Sequence, residues 1–335
     1  MAWTFTDDPN TFHAAVAGLL AGDPERNTVL ISVLANLRRL GPLAFGSEAP
    51  VLGWWAPDSS TAKAAVMHTP PHPILVTDLP VDSAGQLATA LAARGHALSA
   101  INGAESDALA LAAAWARLTG QDYDIYQRQR LHRLGALARQ DPPPPGVARI
   151  ATAGDGDVAH AFFAAFAEET GQPIPGEQVV ADRVAGGQLV LWEVAGEVMS
   201  MAGVNAAAAG GATAANGPRN QGEWAGSVAR VGPVYTPPGA RSRGFGGAVT
   251  AAATQLAIDR GAASVILFTD LANPVSNALY RRLGYVPVED RVVVRLTSGG
   301  ASASAAGRSA AGDAEALLRL CDNPTVAPFD VPLRW

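Results

Sequence analysis

The sequence predicts a mixed α/β fold in which helices and strands alternate within two successive parts of the chain. Apolar residues recur at helical spacing in some segments and at every second position in others. A proline-rich stretch, RQDPPPPGVA (139–148), interrupts this pattern, and similar elements resume after it. Four consecutive prolines favour an extended, semi-rigid spacer. We therefore expect an N-terminal domain over residues 1–140, a linker over 141–146 and a second domain over 147–296.

Composition narrows the class of protein. The chain has 335 residues, of which 48% are hydrophobic and 16% are charged, so it can build two packed domains. A net charge of −6 without a basic block argues against broad nucleic-acid binding. The longest apolar runs are too short to span a membrane, and the N-terminus lacks the basic region of a signal peptide. A single cysteine, Cys321, excludes an intrachain disulfide framework. We expect a cytoplasmic protein that binds neither nucleic acid nor membranes.

The first part mixes helices and strands. Helical spacing of apolar residues marks 12–20, 28–40, 82–95 and 105–120, with Asp82 and Gly95 as the expected ends of the third helix. Strands are expected over 49–56, 63–69, 72–79 and 126–134, the first two forming a hairpin.

The second part has a similar order. A helix is expected over 157–171, followed by two strands that join at Ala195-Gly196 within 188–204. A strand beginning near Val231, a helix that ends at Arg260, and further elements over 263–271, 273–284 and 288–296 complete it. Small residues dominate after position 297, which predicts a flexible segment and C-terminal tail over 297–335 with a short helix at 314–320.

The tripeptide TPP occurs once in each part, and we call this repetition the TPP echo. VMHTPPHP in the first and PVYTPPGA in the second each stand at the end of an expected strand, but only the second is followed by glycines. One interpretation is a tandem duplication in which the first copy has lost a ligand-binding turn. The other is coincidence in a chain that contains 24 prolines.

The stretch VGPVYTPPGARSRGFGGAV (231–249) predicts a phosphate-binding turn. Its glycines let the backbone approach a ligand closely, and the helix that follows presents free amide groups at its N-terminus. The dinucleotide pattern G-x-G-x-x-G fails because Val249 stands at the third glycine position, and no Walker motif is present. A surface turn without a ligand is the alternative.

Two motifs together carry a family resemblance. Arg241, Gly244 and Gly246 form R-x-x-G-x-G, and TDLANPVSNALYRRLGY (269–285) follows after one helix and one strand. Both resemble motifs of the GNAT superfamily of N-acyltransferases, over about residues 147–296, and are closest to bacterial members built in two parts. The resemblance implies tandem GNAT-like folds, of which the C-terminal one holds the cofactor and the N-terminal one is degenerate.

The resemblance also implies acetyl-CoA as the cofactor, bound where the central sheet splays open. The pantetheine arm is expected to pair with the fourth strand, the pyrophosphate to meet the glycine turn, and the later helix to flank the thioester. The implied cofactor-binding residues are Val234, Tyr235, Thr236, Arg241, Ser242, Arg243, Gly244, Phe245, Gly246, Gly247, Asn273, Asn277 and Tyr280.

The implied reaction is transfer of an acetyl group to a primary amine by direct attack on the thioester. Tyr280 stands at the family's tyrosine position and is the expected general acid for the leaving thiolate. The base stays open: Glu168 and Glu169 are candidates, Glu193 and Glu197 flank a hairpin, and a water chain would also serve. A non-catalytic acyl-CoA-binding sensor is the alternative function.

Other expectations concern partners and metals. The acceptor is a small-molecule amine or an amine of a peptide or protein; its identity, the acyl length and a homodimer stay open. His68 and His72 in HTPPH have helical i, i+4 spacing, but the intervening prolines forbid a helix, so no metal site is expected.

Overall fold

The computed structural model describes residues 2–57, 61–207 and 224–298. These residues form two compact units, each assembled from separate stretches of chain. The first unit contains residues 2–23, 36–128 and 290–298, and the second contains residues 24–35 and 129–289. The expected tail helix at 314–320 lies outside the described residues.

The same order of elements occurs twice along the chain: a strand, two helices, three strands, a helix, a strand, a helix and a strand. The first series is β1 (Ala2–Thr6), α1 (Pro9–Gly22), α2 (Thr28–Leu40), β2 (Val51–Ala56), β3 (Ala64–His68), β4 (Ile74–Val76), α3 (Ser83–Ala92), β5 (Ala100–Ala104), α4 (Glu105–Thr119) and β6 (Asp122–Leu134). The second series is β7 (Val147–Ile150), α5 (Gly156–Thr170), α6 (Glu177–Ala185), β8 (Leu189–Val194), β9 (Glu197–Ala207), β10 (Val228–Tyr235), α7 (Phe245–Asp259), β11 (Ser264–Asp270), α8 (Pro274–Arg282) and β12 (Tyr285–Thr297).

The sheet of each unit is mixed, with one parallel pair. In the first unit, β1, β2, β3, β4, β5 and β12 lie side by side, and only β4 and β5 run parallel. In the second unit the order is β7, β8, β9, β10, β11 and β6, and only β10 and β11 run parallel. The two series therefore repeat in pairing as well as in order.

The last strand of each series is exchanged. β12 ends the second series, yet its residues 291–295 pair with β5 in the first unit. β6 ends the first series, yet its residues 129–133 pair with β11 in the second unit. The compact units are therefore discontinuous, whereas the sequence predicted contiguous domains. That residues 1–140 are a degenerate copy without cofactor remains a proposal.

Helix ends follow the expected local chemistry with one exception. Gly120 and Gly171 end α4 and α5 in the left-handed conformation, at φ values of 75° and 67°. Asn273 caps α8 through its side chain, which accepts a hydrogen bond from the Ser276 amide, and Pro274 follows in the first turn. Asp82 precedes α3 as expected, but it is left-handed at φ 67° and makes no side-chain cap bond. The expected start of α3 at Asp82 is therefore confirmed, without a side-chain capping bond.

The TPP echo does not fall at equivalent places in the two series. Thr69-Pro70-Pro71 follows β3, whereas Thr236-Pro237-Pro238 follows β10, whose counterpart by order is β4. The echo is therefore no support for a duplication; the repeated order of elements is the feature that supports it. The first-series counterpart of the glycine turn is the stretch 77–82, between β4 and α3.

Candidate active site

An opening between β10 and β11 is the centre of the candidate site. The two strands pair in parallel only from Val228 to Arg230, opposite Ser264 to Ile266. Beyond this point β10 follows β9, with an irregularity between Val231 and Val234, and β11 follows β6. The expected splay of the central sheet is therefore present. Within the described residues, no strand pairs with the facing edges of β10 and β11 beyond this point, so their backbone groups are available to an extended ligand arm.

The glycine turn leads into the N-terminus of α7 beside this opening. Ser242 and Gly244 are left-handed, with φ values of 61° and 86°, and Gly244 directly precedes the helix. Among the described residues, no group accepts a hydrogen bond from the backbone amides of residues 242–247. Free amides at a helix N-terminus attract anions through their partial positive charge. The turn is therefore built to receive a phosphate or pyrophosphate.

The side chains of the turn point in different directions. Arg243 is exposed and stacks over the ring of Phe245, with its guanidinium carbon 4.8 Å from the ring centre. Phe245 itself is buried in the core. A Cβ atom on Gly246 would lie 3.2 Å from the Thr236 hydroxyl, and one on Gly247 would lie 3.0 Å from Leu279. Little space therefore exists here for side chains larger than hydrogen.

Arg241 is already engaged by the protein. Its Nη2 atom lies 2.6 Å and 2.7 Å from the two carboxylate oxygens of Glu169, and its Nε donates to the Thr236 carbonyl at 2.9 Å. The Tyr235 hydroxyl donates to the same carboxylate at 3.4 Å. Burial raises the pKa of the Tyr235 phenol, and the nearby Glu169 charge raises it further. The residues expected to bind pyrophosphate and to act as base thus meet in one cluster.

The family comparison agrees with this geometry. The family model described as Acetyltransferase (GNAT) family matches residues 159–285, which include the opening, the turn and α8. The chain carries a GNAT acetyltransferase domain. No curated relative matches the chain significantly. A domain of this family implies acyltransfer that depends on acyl-CoA.

Solved structures share the fold over most of the chain. A GCN5-related N-acetyltransferase from Sphaerobacter thermophilus is 18% identical, with a TM-score of 0.53, and the match covers 91% of this chain and 98% of that one. A Drosophila protein is 14% identical, with a TM-score of 0.56 over 88% of this chain and 98% of that one. At these identities the likeness shows the fold alone. The expected fold class, a mixed α/β chain of tandem GNAT-like folds, is confirmed.

In the GNAT domain, Tyr280 lies in the core that borders the opening. The side chain is 3% exposed and belongs to the cluster that contains Val231, Phe245 and Leu267. Its ring packs edge-on against Tyr285, with ring centres 6.3 Å apart. Burial raises the pKa of the Tyr280 phenol, so the hydroxyl keeps its proton at neutral pH.

The two asparagines of α8 support its first turn. Asn273 uses its side-chain oxygen to cap the helix. Asn277 donates to the carbonyls of Asp270 and Asn273, and accepts a hydrogen bond from the Thr269 hydroxyl at 2.7 Å. All three of these bonds lie within the protein. Asn277 therefore orients the end of β11 and the start of α8, and its expected contact with the cofactor stays a prediction.

The other acidic candidates lie apart from this cluster. Glu168 is exposed, and among the described residues no hydrogen bond or ion pair joins it to Arg241 or Tyr235. Glu193 is bound by Arg149, which also holds Asp155, and Glu197 is an exposed residue at the start of β9. Of the four acids, only Glu169 is brought to the glycine turn.

Ser200 is a site residue that the sequence did not indicate. It is fully buried on β9, where its hydroxyl donates to the Tyr235 carbonyl at 2.8 Å and shares a hydrogen bond of 2.8 Å with the Thr236 hydroxyl. It thereby fixes the end of β10. A small polar residue in a buried strand was the available signal.

The described residues contain neither a cluster suited to a metal ion nor a membrane-spanning helix. Within residues 2–57, 61–207 and 224–298, no cluster of three or more ligand-type side chains is arranged to hold a metal ion. In the same ranges, no helix combines the length and the hydropathy needed to cross a bilayer.

Proposed function

We propose that the GNAT domain is an acetyl-CoA-dependent N-acetyltransferase that acts on a primary amine. The observation that carries this proposal is the separation of β10 from β11 beyond Arg230 and Ile266, directly beside a helix N-terminus whose amides have no acceptor among the described residues. An opening and an anion-binding turn in this arrangement fit an elongated ligand with a pyrophosphate at one end. Acetyl-CoA, when bound, supplies an activated acetyl group as a thioester.

The residues divide into binding and reacting groups. The amides of residues 242–247, with Arg243, would hold the pyrophosphate, and backbone groups of Val234, Tyr235 and Thr236 would pair with the pantetheine arm. Several unpaired backbone amides close together can donate hydrogen bonds to the oxygens of one anion. Ser200 holds the end of β10 in place, so that these groups are preorganised before a ligand arrives.

Tyr280 is proposed to donate a hydrogen bond to the departing thiolate. Its raised pKa keeps the hydroxyl protonated, which suits a donor. A backbone amide of β10 near Tyr235 would donate to the thioester oxygen, where negative charge develops. Glu169 is the proposed acceptor of the amine's proton, directly or through water, and Glu168 is the alternative because it lies one residue away on the exposed end of α5.

The test is direct. The purified chain would be incubated with acetyl-CoA and a panel of primary amines, and both thiol release and acetylated product would be measured. Amine-dependent thiol release with a matching product supports the proposal. Acetyl-CoA binding without transfer across a broad panel of small amines, peptides and proteins would instead support the alternative of a non-catalytic acyl-CoA sensor.

A further inference from the structure

The Arg241–Glu169 ion pair stands in an unusual place for a permanent contact. The two side chains are 45% and 42% exposed, and the pair lies at the beginning of the turn whose amides have no acceptor in the part of the chain that the structure describes. Exposed ion pairs are screened by water and contribute little stability. The pair can therefore be broken at small cost, in contrast to a buried one.

The surroundings of Arg241 form a site for a cation. The Glu169 carboxylate supplies negative charge, and the Tyr235 ring centre lies 5.9 Å from the guanidinium carbon of Arg241. Phe162 packs edge-on against Tyr235, with ring centres 5.4 Å apart, and holds that ring in place. A carboxylate at the hydroxyl of an aromatic ring, together with the face of that ring, is a favourable environment for an ammonium or guanidinium group. Arg241 is the cation that fills this site in the structure.

Arg241 has a second potential partner close by. It is adjacent in sequence to Ser242, the first residue of the anion-binding turn. A guanidinium group matches the geometry of phosphate oxygens and binds them through paired hydrogen bonds. A pyrophosphate on the turn carries more negative charge than one carboxylate, and it would compete with Glu169 for Arg241.

We propose that Arg241 changes partner when the cofactor binds. In the free protein it holds Glu169; in the complex it moves to the pyrophosphate, and the Glu169–Tyr235 site becomes open to the ammonium group of a cationic acceptor. This inference rests on the proposed function, because it requires a pyrophosphate at the turn.

The experiment measures CoA affinity by calorimetry in a double-mutant cycle. Glu169→Gln removes the competing charge and is expected to tighten CoA binding about twofold to fivefold, the range set by an exposed ion pair. Arg241→Ala removes a phosphate ligand and is expected to weaken binding about threefold to tenfold. In the Arg241→Ala background, Glu169→Gln is expected to have no effect, because no arginine remains to be released.

Two controls distinguish a change of partner by Arg241 from a general effect of removing a negative charge. Glu168→Gln removes the same charge one residue away and is expected to leave CoA affinity unchanged. Pantetheine, which lacks the pyrophosphate, is expected to bind wild type and Glu169→Gln equally. If Glu169→Gln leaves CoA affinity unchanged, or tightens it equally with and without Arg241, the exchange is wrong while the proposed function stands. If wild type does not bind CoA at millimolar concentration, the proposed function itself is wrong.

Discussion

Gly203 on β9 lies against the backbone of Gly232 on β10, at the point where β10 ceases to pair with β11. A Cβ atom on Gly203 would lie 2.6 Å from the Gly232 carbonyl oxygen and 3.2 Å from the Pro233 ring. Real Cβ atoms do not approach a carbonyl oxygen this closely. The absence of a side chain on Gly203 therefore allows the irregularity that directs Val234 and Tyr235 along β9 and leaves the opening beside them.

Gly203→Ala is expected to displace this part of β10. Overpacking of a well-packed interior costs about 1–3 kcal/mol, so the free energy of unfolding should fall by about that amount, and CoA affinity should fall with it. Urea unfolding and calorimetry measure the two effects. Gly239→Ala is the matched control, since a Cβ atom there would meet nothing within 4 Å. Equal behaviour of the two variants would mean that the close contact does not shape the site.

Gly246→Asp is expected to block the phosphate turn. Its carboxylate would lie among the free amides of the α7 N-terminus, where it competes with and repels a phosphate. We expect acetyl-CoA affinity to fall at least about tenfold, or about 1.4 kcal/mol, in calorimetry. Gly239→Asp adds the same charge seven residues earlier, at an open position, and should bind nearly as wild type. Wild-type affinity in a folded Gly246→Asp variant would remove the turn from the proposed site.

Tyr280→Phe tests the proposed hydrogen-bond donor, because it keeps the buried ring and removes only the hydroxyl. Acid catalysis contributes about 10²–10⁴-fold to the rate. We expect kcat to fall by an amount near the low end of this range, because a phenol with a raised pKa donates its proton weakly. The KM for acetyl-CoA should change little. Tyr285→Phe is the control: it loses a 2.7 Å hydrogen bond to Thr254, which should lower stability but not kcat. An unchanged kcat for Tyr280→Phe, under conditions where chemistry limits the rate, would identify Tyr280 as a packing residue.

The chain is expected to bind one CoA, not two. In the first series, the strands that correspond to β10 and β11 stay closed: a Cβ atom on Gly103 of β5 would lie 2.4 Å from a methyl carbon of Val76 on β4. Asp82 stands before α3 where Gly244 stands before α7, and the Asp107 carboxylate already accepts the Leu79 amide. These acids repel phosphate. Calorimetry of the full chain should therefore give a stoichiometry of one, and Gly246→Asp should weaken that single site without revealing another. A second site would contradict the proposal that the first copy is degenerate.

Acid is expected to destabilise the first unit through His68. Burial lowers the pKa of His68 to about 4, the neighbouring His96 lowers it further, and a hydrogen bond with the His72 backbone partly offsets this decrease. As the pH falls below about 6.5, the His68 side chain of the unfolded chain binds a proton that the folded chain excludes. The contribution of His68 to the free energy of unfolding is therefore fully present above pH 6.5. It is lost as the pH falls toward 4, by about 3 kcal/mol in total. Burial also lowers the pKa of His96, whereas the charge of Glu48 raises it because it favours the protonated form.

Urea unfolding as a function of pH measures this dependence. His68→Gln should flatten the slope between pH 6.5 and 4, whereas His160→Gln, on α5 in the second unit, should leave it unchanged. An identical slope in wild type and His68→Gln would assign the acid sensitivity to other groups.

Much of the secondary structure could be read from local patterns. The helices and strands with regular apolar spacing, such as α2 and α4, occur where the sequence predicts them. β1, β5, β7 and α6 were not predicted. β5 is five residues long, AINGA, and almost wholly buried, so it offers no alternation between an inner and an outer face. Short elements of this kind are specified by their neighbours and not by their own pattern.

The sequence by itself determined the two motifs of the GNAT domain and the glycine turn, because glycine, proline and a capping asparagine act on the backbone within a few residues of themselves. Tertiary structure alone decided the rest. The exchange of β6 and β12 depends on pairing between distant strands, and Arg241 meets Glu169 across 72 residues of sequence. Local spacing does not predict such contacts, since they form only once the helices and strands have packed together.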